Sequence, residues 1–428
     1  MAESSSADAA GLSGRTLEVT VGGPAHGGSC VARYPEPDGR AVFVRHALPG
    51  ERVRAVVTSD RGGAYCFADA VEVLEASPDR VEPPCPYAGP GRCGGCDWQH
   101  ATPAAQRELK AAVIRDQFAR IARQDVSTLL HGVEELPGGP LGWRTRNLYA
   151  VGRDGRVGLR KHASHEIVTV EHCPLGVPGV ADPPEPPVPP RGVTGIEAAR
   201  GTLPDVAVLA HRAGGNRQRR GRRPPDRVEV VTGPRRLHHH ALGRDFRVAA
   251  GGFWQVHPAA VEAFAAALLA AVRPAAGERV LDLYAGAGAL TAALAAAVGE
   301  SGAVIGVESS RTAVADAAAN LADLPQARVR HGRVTADALT DLAVGPDVVV
   351  LDPPRTGAGR DVMTALIGLG PRAIGYVACD PAALARDVAV AAEHGWRLAS
   401  LRAFDAFPMT HHVECVAGLV PPGAVSAG

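Results

Sequence analysis

A chain of 428 residues has room for two or three domains, and its globular composition balances 45 Lys and Arg against 45 Asp and Glu. No apolar run is long enough to cross a membrane, and Met1 to Gly14, rich in Ser and Ala, lacks the basic-then-apolar pattern of a secretory signal. These features predict a cytoplasmic chain, in which clustered cysteines point to metal or catalysis rather than disulfides. Zero net charge is a weak argument against a nucleic-acid partner, because the placement of charge matters more than its sum.

Residues 1–14 are expected to be disordered. From Leu17 to Leu74, short β-rich runs alternate with turns, as in Leu17–Val21, Ala41–Val44, Arg52–Val57 and Tyr65–Leu74. Regular spacing of short strands predicts a small OB-like barrel, either a structural cap or an RNA-binding module, with Tyr34, Phe43, Tyr65 and Phe67 as its few aromatic residues. A cysteine-rich loop follows at Pro83 to His100, then an amphipathic helix at Thr102 to Ala122. Trp143 to Val170 reads as antiparallel strands around an Asp154-Gly155 turn, and Asp182 to Pro190 as a proline-rich linker. Lys110 and Lys161 are the only lysines, so positive charge resides almost entirely on Arg, which grips phosphate bidentately. Arg217, Arg219, Arg220, Arg222, Arg223, Arg227, Arg235 and Arg236, with His238, His239 and His240, form either a solvated loop or a phosphate-contacting patch.

From Arg279 the pattern becomes strand, helix, strand, helix. Strands are expected at 279–283, 303–307, 347–351, 373–378 and 398–404, which predicts an α/β fold with a mostly parallel, doubly wound sheet.

Four segments carry chemistry. Asp282-Leu283-Tyr284-Ala285-Gly286-Ala287-Gly288 leads a strand into a glycine turn and a helix, where backbone approaches a ligand closely. Glu308, at the end of the next strand, is placed to hold ribose hydroxyls, and the missing third glycine favours S-adenosylmethionine over a dinucleotide. Asp352-Pro353-Pro354-Arg355 closes a buried strand with a stiff loop suited to a flat base. Cys379 ends the apolar run Ala373 to Ala378, and Asp380-Pro381 opens a helix behind it, so the thiol is either a small core hydrophobe or a nucleophile whose thiolate the helix N-terminus favours. Glu414 opens the last apolar strand and is either a solvated edge residue or a general base of raised pKa. Separately, Cys85, Cys93-Gly94-Gly95-Cys96 and Cys173 supply four thiols for zinc or an iron–sulfur cluster, which spacing alone does not distinguish.

Together, from about Arg15 to Val420, these segments resemble the uracil-C5 RNA methyltransferases, which make 5-methyluridine in ribosomal and transfer RNA. The resemblance implies a TRAM barrel at 15–76, a central α+β domain at 77–245, a Rossmann-like S-adenosylmethionine methyltransferase domain at 246–421 and a tail at 422–428. It implies a [4Fe-4S] cluster on Cys85, Cys93, Cys96 and Cys173, cofactor contacts from Gln255 (in Gly251-Gly252-Phe253-Trp254-Gln255-Val256), Tyr284, Glu308 and Asp352, Cys379 as nucleophile and Glu414 as base. The implied partner is RNA, ribosomal rather than transfer, modified by a monomeric enzyme. The chain departs from the family pattern at His257, Ala285, Ala289 and Asp380. Two rival functions are an RNA-binding protein without catalysis and a methyltransferase for another substrate, although an amine acceptor would need no cysteine nucleophile.

Overall fold

The computed structural model describes residues 11–185, 192–214, 227–341 and 345–424. The chain divides into two compact units: residues 1–113, 160–168 and 407–412, and residues 114–159, 169–406 and 413–428.

In the first unit, strands Thr16–Thr20, Cys30–Tyr34, Arg40–Arg45, Arg52–Ser59 and Tyr65–Glu75 form one sheet, in which the first pairs the fourth, the fourth the fifth, the fifth the third and the third the second. Alternation sets the inside: Leu17 and Val19 are buried between exposed Thr16, Glu18 and Thr20, and they join Val42, Val44, Val53, Ala55 and Ala68 in one core. Cys30–Tyr34 is a strand the sequence reading lacked, because its short apolar run sits between Gly27-Gly28 and Pro35. The expected disorder of residues 1–14 is corrected at its end. The Leu12 N–H donates to Asp60 Oδ2 at 2.7 Å and the Gly14 N–H to the Val57 carbonyl at 2.8 Å, while residues 1–10 lie outside the described residues. Phe43, Tyr65 and Phe67 meet with ring centroids 5.5–5.6 Å apart.

The expected helix at 102–122 is an α-helix over Pro103–Gln117 continued by a π-helical turn over Phe118–Ala122, which ends at Arg123 with φ 56°.

The second unit is built on an eight-stranded sheet. Its order is Ala327–His331, Ala303–Glu308, Arg279–Leu283, Val348–Leu351, Ala373–Ala378, Glu414–Val420, Arg397–Asp405 and Val133–Glu135. Neighbours run parallel except at Glu414–Val420, which is antiparallel to both strands beside it. Val348–Leu351 and Ala373–Ala378 are buried at every position, as strands covered on both faces must be, and this makes them apolar without alternation. The two end strands, Ala327–His331 and Val133–Glu135, had no such signal, since each is largely polar. Strand order reverses between Arg279–Leu283 and Val348–Leu351, and the crevice beyond their carboxyl ends is where open α/β sheets take ligands.

The described residues of the stretch 181–244, read as a linker and a basic run, are largely sheet. Arg146–Val151, Val193–Arg200, Val206–Arg212 and Arg227–Thr232 pair antiparallel in that order, and Arg236–Ala241 forms a hairpin with Arg244–Ala249. The Asp154-Gly155 turn joins Arg146–Val151 to Val157–Arg160 as expected. The solvated-loop alternative is therefore overturned for Arg227, Arg236 and His238–His240, which lie within strands. Residues 186–190 of the linker, with Arg217, Arg219, Arg220, Arg222 and Arg223, lie outside the described residues. Among the described residues no helix is long and apolar enough to cross a membrane.

Candidate active site

Four strand ends at the carboxyl edge of the eight-stranded sheet supply most of the site. Arg279–Leu283 ends in Tyr284, whose φ of 64° is unusual for a bulky residue. The turn is held because the Tyr284 and Ala285 N–H groups both donate to the Val307 carbonyl, at 2.9 and 3.2 Å. Gly288 then starts the helix Ala289–Val298 at φ 89°, a conformation that favours glycine. Beneath the turn Asp282 is buried; Oδ2 accepts from Thr291 Oγ1 at 2.5 Å, while Oδ1 has no partner.

Glu308 ends the next strand. Its Oε2 accepts from the Gly286 N–H at 3.1 Å and its Oε1 from the Ser310 N–H at 2.6 Å, so the carboxylate braces the glycine turn. Gln255, Tyr284 and Asp352 line one cleft, with Phe253, Phe264 and Leu290 among its apolar walls. Glu308 is not part of that lining. Gln255 is held through its neighbour: both the N–H and the hydroxyl of Thr145 donate to the Val256 carbonyl, each at 2.9 Å. Burial pushes the Asp352 carboxyl up to about 7, and the charge of Asp282 adds to the shift. Asp282 is itself pushed up to about 7 by burial.

Cys379 and Glu414 come together through register. Ala378 pairs with Cys415 on adjacent antiparallel strands, so the next position on each strand sets Cys379 opposite Glu414. Glu414 is buried and its Oε2 has no hydrogen-bond partner, which costs about 1–3 kcal/mol and marks a group kept for something other than stability. Burial first, then the charge of Asp352, pushes the Glu414 carboxyl well above the ordinary range, while Arg355 pulls it back.

The expectation that the helix N-terminus would favour a Cys379 thiolate is corrected. Burial pushes the thiol up to about 12, Glu414 and Asp352 push in the same direction, and Arg355 opposes them. The helix end is already occupied, because Asp380 Oδ1 accepts from the Ala383 N–H at 2.8 Å. Aspartate at this departure from the family pattern therefore works as the N-cap of Pro381–Glu393. At a second departure, His257 Nδ1 accepts from the Ala259 N–H at 3.2 Å, and the ring stacks 6.0 Å from Trp143.

The metal-site residues are less complete. Cys85 is buried, whereas Cys93 and Cys96 are partly exposed on their glycine turn. The Gly95 N–H lies 3.4 Å from Cys93 Sγ, and a Cβ on Gly94 would fall 2.3 Å from the His162 nitrogen. The turn thus fits a thiolate knuckle. Cys173 belongs to the second unit, its N–H donating to the Ala181 carbonyl at 2.7 Å. Among the described residues no group of three or more His, Cys, Asp or Glu is placed to hold a metal ion.

Arg355, Tyr376 and Asp387 were not singled out in the sequence as site residues. Arg355 follows the Asp-Pro-Pro signal directly, and its charge acts on Cys379 and Glu414.

A doubly wound sheet with a glycine turn, a cleft at its topological switch point and a paired thiol and carboxyl beside it defines a nucleotide-cofactor enzyme of the α/β class. Residues 244–420 match the profile of the tRNA (uracil-5-)-methyltransferase family, and residues 12–71 match that of the TRAM domain. An uncharacterised RNA methyltransferase of Streptomyces avermitilis is 47% identical over 95% of this chain and 99% of its own length. The 23S rRNA (uracil(1939)-C(5))-methyltransferase RlmD of Alkalilimnicola ehrlichii is 34% identical over 94% of this chain and 96% of its own. The fold is also that of the Pyrococcus abyssi tRNA (uracil-54, C5)-methyltransferase, solved with S-adenosyl-L-homocysteine, at a TM-score of 0.65, 22% identity, and coverage of 94% of this chain and 99% of that one. The chain belongs to the RNA (uracil-5-)-methyltransferase family, S-adenosylmethionine-dependent enzymes, with an N-terminal TRAM domain.

Proposed function

We propose that this enzyme methylates C5 of one uridine in ribosomal RNA, in preference to transfer RNA, through a covalent bond between Cys379 and C6 of the base. The observation that carries the reading is the register that sets Cys379 opposite Glu414, whose buried Oε2 has no partner. Ribosomal RNA is favoured because the relative named RlmD, matched over nearly its whole length, acts on 23S rRNA.

Uracil C5 is a poor nucleophile until C6 is attacked. The Cys379 thiolate forms the S–C6 bond and drives the C5–C6 electron pair towards O4, leaving carbanion character at C5. Gln255, Tyr284, Glu308 and Asp352 would hold S-adenosylmethionine, which would supply its sulfonium methyl group to C5 and leave as S-adenosylhomocysteine. Glu414 then removes the C5 proton, the S–C6 bond breaks, and Cys379 leaves as thiolate. Burial and carboxyl neighbours push both Cys379 and Glu414 towards their protonated forms. A positive charge beside Asp352 would oppose both shifts. The target uridine leaves its stack to reach them.

Residues 15–76 serve as the RNA-binding barrel, 77–245 as a central domain and 246–421 as the catalytic domain. Cys85, Cys93, Cys96 and Cys173 hold a [4Fe-4S] cluster rather than zinc; the reading is supported by the Cys93–Cys96 turn and its N–H to sulfur contact, and no catalytic step passes through it. The enzyme acts as a cytoplasmic monomer. The test is methyl transfer from labelled S-adenosylmethionine to 23S rRNA and tRNA transcripts. Incorporation at one uridine of 23S rRNA is expected, and label in tRNA alone would remove the ribosomal assignment.

A further inference from the structure

Asp387 is a buried acid that the mechanism above does not use. It lies on the helix Pro381–Glu393, eight residues after Cys379 and 3% exposed. Every hydrogen bond that its carboxylate accepts here comes from Tyr376 or from the loop that begins at Asp352. The Tyr376 hydroxyl donates to Oδ2 at 2.6 Å, the Ala358 N–H to Oδ2 at 2.7 Å and the Gly359 N–H to Oδ1 at 3.1 Å. The Ala358 N–H also lies 3.1 Å from the Tyr376 hydroxyl, which closes the network. Gly357 makes the approach feasible: its φ is +82°, and a Cβ there would stand 2.7 Å from Asp387 Oδ2.

The two anchors bracket the thiol. Tyr376 lies three residues before Cys379 on the strand Ala373–Ala378, and Asp387 lies on the helix after it. What they hold, at Ala358 and Gly359, is the far end of the loop that Asp352-Pro353-Pro354-Arg355 begins, whose turn is closed by the Gly357 N–H on the Pro354 carbonyl at 2.8 Å. The charge of Asp387 adds to burial in pushing the Tyr284 phenol above its ordinary value. A buried carboxylate is a costly way to fill space, and an apolar residue would pack there without desolvating a charge.

We propose that Asp387, with Tyr376, is a positioning residue of methyl transfer: it locks the Asp352–Gly359 loop to the strand and helix that carry Cys379, fixing where Asp352 and Arg355 stand relative to the thiol. The inference rests on the reading of Cys379 as nucleophile.

The experiment follows adduct formation with S-adenosylmethionine and a mixture of 5-fluorouridine-substituted 23S rRNA and tRNA, whose fluorine blocks removal of the C5 substituent and traps the covalent complex. Loss of a fixed geometry of this kind costs about 100-fold, so Asp387→Asn is expected to slow adduct formation by about that factor. Tyr376→Phe, which removes one of the bonds, is expected to slow it about tenfold, and the double variant should match Asp387→Asn because the two act as one unit. The melting temperature should stay near wild type, and the adduct rate is read at saturating S-adenosylmethionine because Asp352 is also assigned to the cofactor. An adduct rate unchanged in Asp387→Asn overturns the inference, as does a loss that disappears at saturating cofactor or follows melting, or multiplicative effects in the double variant. Should Asp387→Asn fail to fold, Tyr376→Phe and Gly357→Ala decide the matter: slowed adducts support it and wild-type rates overturn it. A wild-type enzyme that forms no adduct removes the Cys379 reading, and this inference with it; a wild-type adduct formed no faster than that of Asp387→Asn removes the inference alone.

Discussion

Cysteines of like exposure meet different neighbours in two regions of this molecule. Cys93, Cys96 and Cys379 are all partly exposed, but Cys93 and Cys96 sit on a glycine turn, where a backbone N–H approaches the Cys93 sulfur at 3.4 Å. Cys379 ends a fully buried strand, and its thiol is pushed up to about 12 by burial and by the carboxyls Glu414 and Asp352. A donor pointing at sulfur favours the charged form and suits a permanent ligand. Burial and neighbouring carboxyls disfavour the charged form. What distinguishes the proposed ligand thiols from the proposed nucleophile is which groups face the sulfur, and that is set by register and turn geometry rather than by cysteine spacing.

The largest effect that would break this comparison is on the reaction itself. Cys379→Ala should lower methyl transfer by at least about a thousandfold, as loss of a covalent nucleophile does, with iron content unchanged. Cys96→Ser should do the reverse, emptying the metal site of anaerobically purified protein while the chemistry survives in the molecules that stay folded. If the two variants exchanged phenotypes, the assignment of the two thiol sites would be wrong. Next in size is Glu414→Gln. General-base loss costs about 10²–10⁴-fold, and since the S–C6 bond forms before the base acts, this variant should accumulate protein–RNA adduct on ordinary uridine RNA. Equal loss of adduct and turnover would place Glu414 earlier in the sequence of steps.

A smaller effect concerns charge. Alkylation of Cys379 by iodoacetamide, followed by peptide mass spectrometry, should keep rising with pH to beyond 10 in the free enzyme, because the thiol lies near 12. With S-adenosylmethionine bound the curve should move to lower pH; an unchanged curve would show that the cofactor's positive charge does not reach the thiol. The smallest effect is on stability. Burial raises the Asp282 carboxyl from an ordinary 3.8 to about 7 in the folded chain, so the fold binds this proton more tightly than the unfolded chain does. That contribution is fully present below pH 3.8 and is lost as pH rises through 7. Replacing Asp282 with Asn should flatten the decline in melting temperature over that range, and an unaltered slope would mean that the acid is charged in the folded chain.

Much of the architecture was legible because the physics was local. Ala373–Ala378 and Val348–Leu351 are buried throughout and read as unbroken apolar runs, while the barrel strands read through alternation. Gly288 and Asp380-Pro381 announced helix starts through backbone chemistry. Polar edge strands such as Ala327–His331 were not legible, since no face of theirs is fully buried. The strands of the Arg- and His-rich stretch were hidden for a related reason: alternate residues such as His239, which stacks on Trp254 at 4.5 Å, look polar in sequence but are buried in place. Within the site, Cys379, Glu414 and Asp352 showed in the sequence as polar residues at the ends of apolar strands. Their mutual effect did not, because it arises from pairing between strands about 35 residues apart. Asp387 escaped notice because two of its three partners are backbone N–H groups, which sequence does not label, and the third, Tyr376, lies within a buried strand.

The central claim is that a covalent bond forms between Cys379 and uracil C6. It is tested most directly by incubating wild-type enzyme with S-adenosylmethionine and 5-fluorouridine-substituted 23S rRNA, digesting the trapped complex and sequencing the crosslinked peptide by mass spectrometry. The account predicts one nucleotide attached at Cys379 and no adduct with Cys379→Ala. A methylated product formed without any adduct, or an adduct at another cysteine, would contradict it.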